Sequence, residues 1–343
     1  MEPVLNIVFI VNPISGTSRK RAIVNQIDRT IDKQRFNYSI IYTEYPGHAR
    51  LIAKEAANKG IDIVCAIGGD GTVNEVASGL VHSPTALAII PSGSGNGLAR
   101  HLRIPRDAIR AIKLINKANI VPIDYGMINE HPFFCTCGVG LDAFISQKFA
   151  ESGKRGFASY LENVLKHALK YNPELYEIDV INEEETHVSY KAILIACANA
   201  SQYGNNVYIA PGASVRDGLL DVIIVEPYKF IDAPQMGVQI MNGTFDKNPH
   251  VKRIKCKSLR IKRKEKGPAH FDGDPMTTGE YIDISIVKEG LNVICSGKEG
   301  MRNIGDSFQD TISVIYNNLY MNTEQLIEDG SNRGKKLLGI NDK

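Results

Sequence analysis

The sequence predicts an α/β amino-terminal domain built on a parallel sheet, followed by a second domain of mostly antiparallel strands packed as a β-sandwich. Three observations predict this. Up to residue 127 short apolar runs alternate with amphipathic ones, and such β–α alternation selects a parallel sheet with helices on both faces. From residue 128 to 299 the pattern changes to strand-like runs joined by turns, which suits two packed sheets. The chain has 343 residues, a length that accommodates two cores.

Taken in order, residues 4–11 (VLNIVFIV), 36–43, 61–67 (IDIVCAI) and 86–90 are apolar enough to be buried strands. Residues 19–32 and 48–58 are expected as helices between them, and Val73, Val76, Ala77 and Leu80 share one helical face. In the second domain residues 133–138, 175–181, 188–199, 218–225, 253–261, 281–286 and 291–295 read as strands, interrupted by a helical stretch over 157–171. Phe308, Ile312, Ile315, Tyr316 and Leu319 have helical spacing, so a segment within 300–325 is expected to pack back on the first domain. The polar tail 330–343 is expected to be mobile. Internal repeats and low-complexity segments are absent.

Composition sets bounds. Hydrophobic content of 43% and charged content of 23% are ordinary for a soluble globular protein. The net charge of +2 excludes no class of partner by itself. No apolar stretch approaches the about 18 residues of a membrane span. The opening MEPVLNIVFIVNP lacks a basic flank and runs directly into a strand, so it is not expected to be a signal peptide. The cysteines Cys65, Cys135, Cys137, Cys197, Cys256 and Cys295 are scattered in apolar runs, as reduced thiols of a cytoplasmic protein would be. Cys135 and Cys137 have no second Cys/His pair with which to hold a metal.

The chemistry is concentrated in three loops, each at the carboxyl end of a predicted strand, where open α/β sheets bind ligands. Gly68-Gly69-Asp70-Gly71-Thr72-Val73-Asn74 joins a strand to a helix. Its bare N–H groups and the helix N-terminus suit phosphate oxygens. An acid inside such a site repels phosphate unless a cation compensates, so Asp70 points to Mg²⁺ held directly or through water. A plain helix cap by Asp70 is the alternative. The second loop is Pro91-Ser92-Gly93-Ser94-Gly95-Asn96-Gly97, and the third is Asn12-Pro13-Ile14-Ser15-Gly16. Together they predict a nucleotide phosphate site. No Gly-x-x-x-x-Gly-Lys-[Ser/Thr] loop and no protein-kinase motif set is present.

GGDGTVNEVASGL, PSGSGNGLA and NPISG, in this order and spacing, resemble the diacylglycerol kinase catalytic-domain family, which includes bacterial diacylglycerol kinase-like enzymes and sphingosine kinases. The resemblance covers roughly residues 4–295. It is most specific in the first third and looser at Cys137 to Ala143, Arg216 to Asp221 and Phe271 to Pro275. It implies a fold like that of NAD kinases and diacylglycerol kinases, with ATP and Mg²⁺ as cofactors. It also implies that Thr43 and Ser94 join the phosphate loops in contacting ATP. Family members usually carry Asp-Gly-Glu where this chain has Asp272-Gly273-Asp274, with the glutamate assigned as proton acceptor. The base is therefore Asp274, one methylene shorter, or Asp272. In the sphingosine kinase branch the corresponding assignment falls on Asp70. In bacterial members a metal site matches Ser214, Asp217 and Leu219, the last through its main-chain oxygen.

The resemblance implies an ATP- and Mg²⁺-dependent lipid kinase that phosphorylates a lipid hydroxyl at the membrane surface. The lipid is of the diacylglycerol type or a sphingoid base. Gly97 stands where most bacterial members have aspartate and looks more like sphingosine kinases, which makes the two substrates close rivals. A NAD kinase-like enzyme with a soluble substrate and a non-catalytic nucleotide- or lipid-binding regulator are the alternatives. The protein is expected in the cytoplasm with transient, peripheral membrane association, and a homodimer is left open. The basic stretch 252–266 (VKRIKCKSLRIKRKEK from Val251) reads either as a solvated sheet face or as a patch drawn to anionic lipid. It lacks the interleaved aromatics of a nucleic-acid surface. Asp124 and Asp142 are further acids expected to face the cleft. Gly138 to Ala143 fits a dinucleotide fingerprint only superficially, because the α/β rhythm has ended there.

Overall fold

The computed structural model describes residues 3–13, 17–152 and 171–300. The amino-terminal unit runs β1 (Leu5–Val11), α1 (Thr17–Thr30), β2 (Phe36–Tyr42), α2 (His48–Asn58), β3 (Ile63–Gly68), α3 (Asp70–Leu80) and β4 (Ala86–Pro91). These four strands pair in parallel in the order β2-β1-β3-β4. β3 and β4 are buried along their whole lengths, because helices cover both faces of the sheet. One cluster (Val8, Ile10, Val64, Ala66, Val76, Leu80) packs on one side, and another (Phe9, Ile23, Ile27, Cys65, Ile112) on the other. Two short helices, α4 (Gly97–His101) and α5 (Ala108–Ile115), follow.

The second unit comprises β5 (Ile120–Ile128), β6 (His131–Phe133), β7 (Thr136–Gly140), α6 (Leu141–Glu151), β8 (Glu174–Ile181), β9 (Glu185–Ala192), β10 (Leu194–Ala198) and β11 (Leu220–Val225). It continues through α7 (Ala233–Asn242), β12 (Val251–Cys256), β13 (Ser258–Lys262), β14 (Gly267–Phe271), β15 (Asp274–Thr278) and β16 (Tyr281–Ile294). The six-stranded sheet β12-β11-β10-β7-β14-β15 is antiparallel throughout. It packs through Val139, Ile195, Val222 and Cys256 against Ile178, Leu259, Ile261 and Ile284 of the other sheet. That other sheet is an extension of the parallel one, because β16 pairs with β4 at Val293↔Leu87 and then with β5 and β13. The α/β unit and the antiparallel sandwich are both as the sequence predicts, and a single ladder ties them together.

Five predicted strands differ from those observed. Residues 133–138 divide between β6 (His131–Phe133) and β7 (Thr136–Gly140), which lie in different sheets. Residues 188–199 form two strands in different sheets, since Ile193 breaks out between them and its N–H donates to Val225 O at 2.7 Å. Residues 253–261 divide likewise at Lys257, whose N–H donates to Asn182 Oδ1 at 3.0 Å. Residues 281–286 and 291–295 instead join as the one strand β16, with a bulge between Val287 and Leu291. The predicted helices at 157–171 and 308–320 and the tail 330–343 lie outside the described residues, apart from Tyr171, which is not helical.

Candidate active site

The loops after β1, β3 and β4 converge on one cleft of about 830 Å³. The loop that opens α3 lies directly against the loop after β4: a Cβ on Gly93 would stand 2.5 Å from Gly69 Cα, so only glycine permits this approach. Ser92 N donates to Gly68 O at 2.8 Å. Asn96, in the left-handed conformation with φ 55°, closes its own loop by exchanging bonds with Gly93 at 2.7 and 3.1 Å. Asn12 Nδ2 donates to Thr72 Oγ1 at 3.2 Å, fastening the first loop to the second.

Of the residues expected to grip phosphate, Asn12, Thr43, Gly69, Asp70, Gly71, Thr72, Val73, Asn74 and Ser94 line the cleft. Gly68 ends β3 behind it, and Pro13 borders a separate, smaller cavity with Lys20, Arg21 and Tyr42. Ile14, Ser15 and Gly16 lie outside the described residues.

Four acids meet at the cleft, and three of them hold loops. Asp70 accepts from Asn96 N at 2.8 Å and Gly97 N at 2.7 Å, so it caps the neighbouring helix α4 while sitting in the first turn of α3. Burial pushes its carboxyl up, against those two donors. Glu75 accepts from Gly47 N at 2.9 Å and Ala49 N at 3.1 Å and thereby caps α2. Asp272, left-handed at φ 48°, takes four N–H donors: Asn74 Nδ2 and Phe134 N at 2.8 Å, Cys135 N at 2.7 Å and Thr136 N at 3.0 Å. Four bonds fill a carboxylate's acceptor sites, leaving Asp272 no vacancy for a substrate proton. Burial raises its pKa and the donors oppose that.

Asp274 is different. It lies two residues on, exposed to the cleft, and its carboxylate has no hydrogen-bond partner among the described residues. Its pKa is raised, first by partial burial, then by the negative charges of Asp272, Glu75 and Asp70, with His270 pulling the other way. A carboxylate held above its ordinary value and facing the glycine-rich loops can act as a general base.

Asp124 and Asp142 do not face the cleft as expected. Asp124 is buried and accepts from Gly218 N at 2.7 Å and Glu289 N at 2.8 Å. Asp142 is buried 3.0 Å from His270 Nε2 and accepts from Tyr203 O–H at 3.1 Å and Ala143 N at 2.8 Å. It is His270 and Tyr203 that reach the cleft wall. Sequence reading missed them, since a single His inside an apolar strand carries no pattern.

The Ser214, Asp217 and Leu219 trio is not drawn into a cage. Lys255 Nζ stands 2.6 Å from Asp217 Oδ2, Ser214 Oγ donates to Glu299 Oε1 at 2.6 Å, and Leu219 N donates to Asp217 Oδ1 at 3.1 Å. An ammonium already supplies positive charge at that turn. No cluster of three or more metal-ligating side chains occurs among the described residues. All six cysteines are buried and unbridged. Most of the basic stretch is paired along the sheet: Arg253 with Asp221, Arg260 with Asp283, and Lys262 with Glu177. No helix among the described residues is long and apolar enough to cross a membrane.

Fold and cleft define a two-domain architecture in which the glycine-rich loops of an α/β unit face a β-sandwich across the cleft. Residues 6–128 match the model of the diacylglycerol kinase catalytic domain, and residues 135–295 match that of the YegS C-terminal NAD kinase beta sandwich-like domain. The chain belongs to the diacylglycerol kinase-like lipid kinase family. It is 26% identical to the diacylglycerol kinase of Bacillus subtilis, covering 80% of this chain and 92% of that one. Against the diacylglycerol kinase of Staphylococcus carnosus the identity is also 26%, over 78% and 87% of the two chains. A Bacillus anthracis crystal structure is 26% identical with a TM-score of 0.70, covering 85% of this chain and 95% of its own. A second from that organism, titled a diacylglycerol kinase, superposes with a TM-score of 0.66 at 22% identity, over 87% and 99% of the two chains, and speaks for the fold.

Proposed function

We propose that this protein transfers the γ-phosphoryl group of ATP to the hydroxyl of a membrane lipid, with Asp274 as the base that receives the hydroxyl proton. One observation carries the reading: Asp274 is the acid of the cleft whose carboxylate is not spent on holding a loop, and it shares that cleft with the amides of Gly69 to Asn74. Phosphoryl transfer asks a protein chiefly for positioning and charge neutralisation, with a base near the attacking oxygen. The α3 N-terminus and its glycine amides supply the grip. Asp272 does not touch the reaction in this reading. It fastens the turn that carries Asp274 to Asn74 of the cradle, and so sets the distance between base and phosphate.

The donor set suits Mg²⁺. Asp70, Glu75, Asp272 and Asp274 put several negative charges beside a bound polyphosphate, and a hard divalent cation with oxygen ligands relieves that repulsion. Mg²⁺ keeps most of its waters and needs one or two carboxylates plus substrate phosphates, so a dedicated protein cage is not required. When bound, it neutralises charge developing on the phosphoryl oxygens. Asp70 is the side chain that would hold it, directly or through water, which leaves Asp274 free to take the proton.

The acceptor enters beside Tyr203, Val207, Ser146 and Phe149, a mixed polar and apolar wall on the sandwich side. A diacylglycerol-type lipid and a sphingoid base both remain in this reading, as does peripheral attachment to the membrane. The test is incubation with radiolabelled ATP and Mg²⁺ over a lipid extract, with NAD in a parallel reaction. Label in a lipid product, lost in Asp274→Ala, supports the proposal. Label in NADP, or tight ATP binding without transfer to any acceptor, overturns it.

A further inference from the structure

The loop between β2 and α2 presents an aromatic face to the same cleft. Tyr45 is 50% exposed, yet its ring is not loose: it stacks on His48 with centroids 4.5 Å apart and planes 5° from parallel. Four further bonds hold this pair. His48 Nδ1 accepts from Glu44 N at 3.1 Å, and His48 N donates to Tyr45 O at 3.2 Å. Glu75 of α3 clamps Gly47 N and Ala49 N on either side of His48. The rim is thus tied directly to the helix whose N-terminus forms the phosphate cradle. Tyr45, Pro46 and Ala49 line the cleft next to Thr43.

A large ring left half in water, backed on one side by a second ring and anchored through Glu75, presents a fixed flat face toward the cleft that is suited to stacking. We propose that Tyr45, backed by His48, is the platform on which the nucleobase of the phosphoryl donor stacks, and that Glu75 is the positioning residue that fixes this platform relative to the phosphate loop. The inference rests on the reading that the cleft takes ATP and adds where its base lies. Stacking on a π-face uses no hydrogen-bond code, so the platform accepts any purine. The donor's affinity then divides between two places: the polyphosphate on the glycine amides, the base on Tyr45.

Inorganic tripolyphosphate, which has no base, separates the two. In Tyr45→Ala the Kd of Mg-ATP, measured by calorimetry without lipid, should rise by roughly five- to hundredfold, the range for one lost base stack. The Kd of tripolyphosphate should stay within about twofold of wild type, and Tyr45→Phe should bind ATP like wild type. The chain contains no tryptophan, so Tyr45→Trp introduces a single emitter at this point. Mg-ATP should quench it and tripolyphosphate should not. Equal losses for both ligands in Tyr45→Ala, or unchanged ATP binding, overturn the platform while leaving the cleft's nucleotide reading intact. Wild-type protein that binds no ATP overturns that reading, and the platform with it.

Discussion

Asn74 and Asp272, 198 residues apart in the chain, are joined by a hydrogen bond of 2.8 Å from Asn74 Nδ2 to Asp272 Oδ2. This bond ties helix α3 to the β14–β15 turn that leads into Asp274. The two domains thereby meet at the cleft, where the proposed reaction needs a donor phosphate and an acceptor hydroxyl to meet. Among the described residues, the acids of the cleft divide into holders and one group without a hydrogen-bond partner.

Asp272→Ala should damage the fold as well as the reaction. It strands the buried N–H groups of Phe134, Cys135 and Thr136, each costing roughly 1–3 kcal/mol when left unpaired. The expected fall in Tm is on the order of 5 °C or more for a chain of this size. Asp274→Ala breaks no such bond and should melt like wild type. Differential scanning calorimetry on both variants decides this. A dead Asp272→Ala variant with wild-type Tm would make Asp272 a reactant after all.

The pH profile follows from the charges around Asp274. Its pKa is raised, and a base acts only when deprotonated, so the acid limb of kcat/KM should lie above the ordinary carboxylate value near 3.8. Glu75→Gln removes one of the repelling charges and should move that limb to lower pH. The stability effect has the opposite preference: a group with raised folded pKa favours the protonated state. Its contribution is present below about pH 3.8 and is lost as pH rises through the raised value. Asp274→Asn should therefore be no less stable than wild type at neutral pH, and a clear loss there would contradict the shift.

Asp70→Asn should abolish turnover and lower Tm by a few degrees, because an amide nitrogen would then face one of the N–H groups of Asn96 and Gly97. Near wild-type turnover at saturating Mg²⁺ would reduce Asp70 to a dispensable cap.

The cations free to meet a lipid surface are fewer than the basic stretch suggests. Lys262 is 2.7 Å from Glu177, whereas Lys264 and Lys266 are exposed and no such pair engages them among the described residues. Reversal of Lys264 and Lys266 to glutamate should weaken co-sedimentation with anionic vesicles at low salt, where such attraction is strongest. Reversal of Lys262 should act mainly by breaking a surface pair, worth about 0–1 kcal/mol. Unchanged sedimentation in the double variant leaves the stretch as a solvated face.

The parallel sheet and its glycine loops were legible because β–α alternation and Gly-rich turns are local patterns. The sandwich was legible as a class but not strand by strand. Residues 192–198 (AILIACA) are one apolar run in which no period can be read, and around Lys257 the only sign is a slip in phase between Cys256 and Leu259, although at Ile193 and at Lys257 the backbone leaves one sheet for the other. Asp272 and Asp274 could be singled out together but not told apart, since the difference is made by Phe134, Cys135 and Thr136, far off in sequence. Asp142 was expected at the cleft for the same reason, while its partners His270 and Tyr203 gave no signal. Tyr45 lay two residues beyond Thr43, the end of the segment singled out there.

The central claim is that Asp274 alone among the cleft acids takes the substrate proton. Single-turnover transfer from radiolabelled ATP to the preferred lipid, in Asp274→Ala and wild type with ATP binding measured alongside, tests it most directly. The account predicts a fall of about 10²- to 10⁴-fold in the transfer rate with ATP affinity little changed. Transfer at the wild-type rate in Asp274→Ala, with Asp70→Ala or a folded Asp272→Ala dead, would contradict it and move the base to whichever variant is silent.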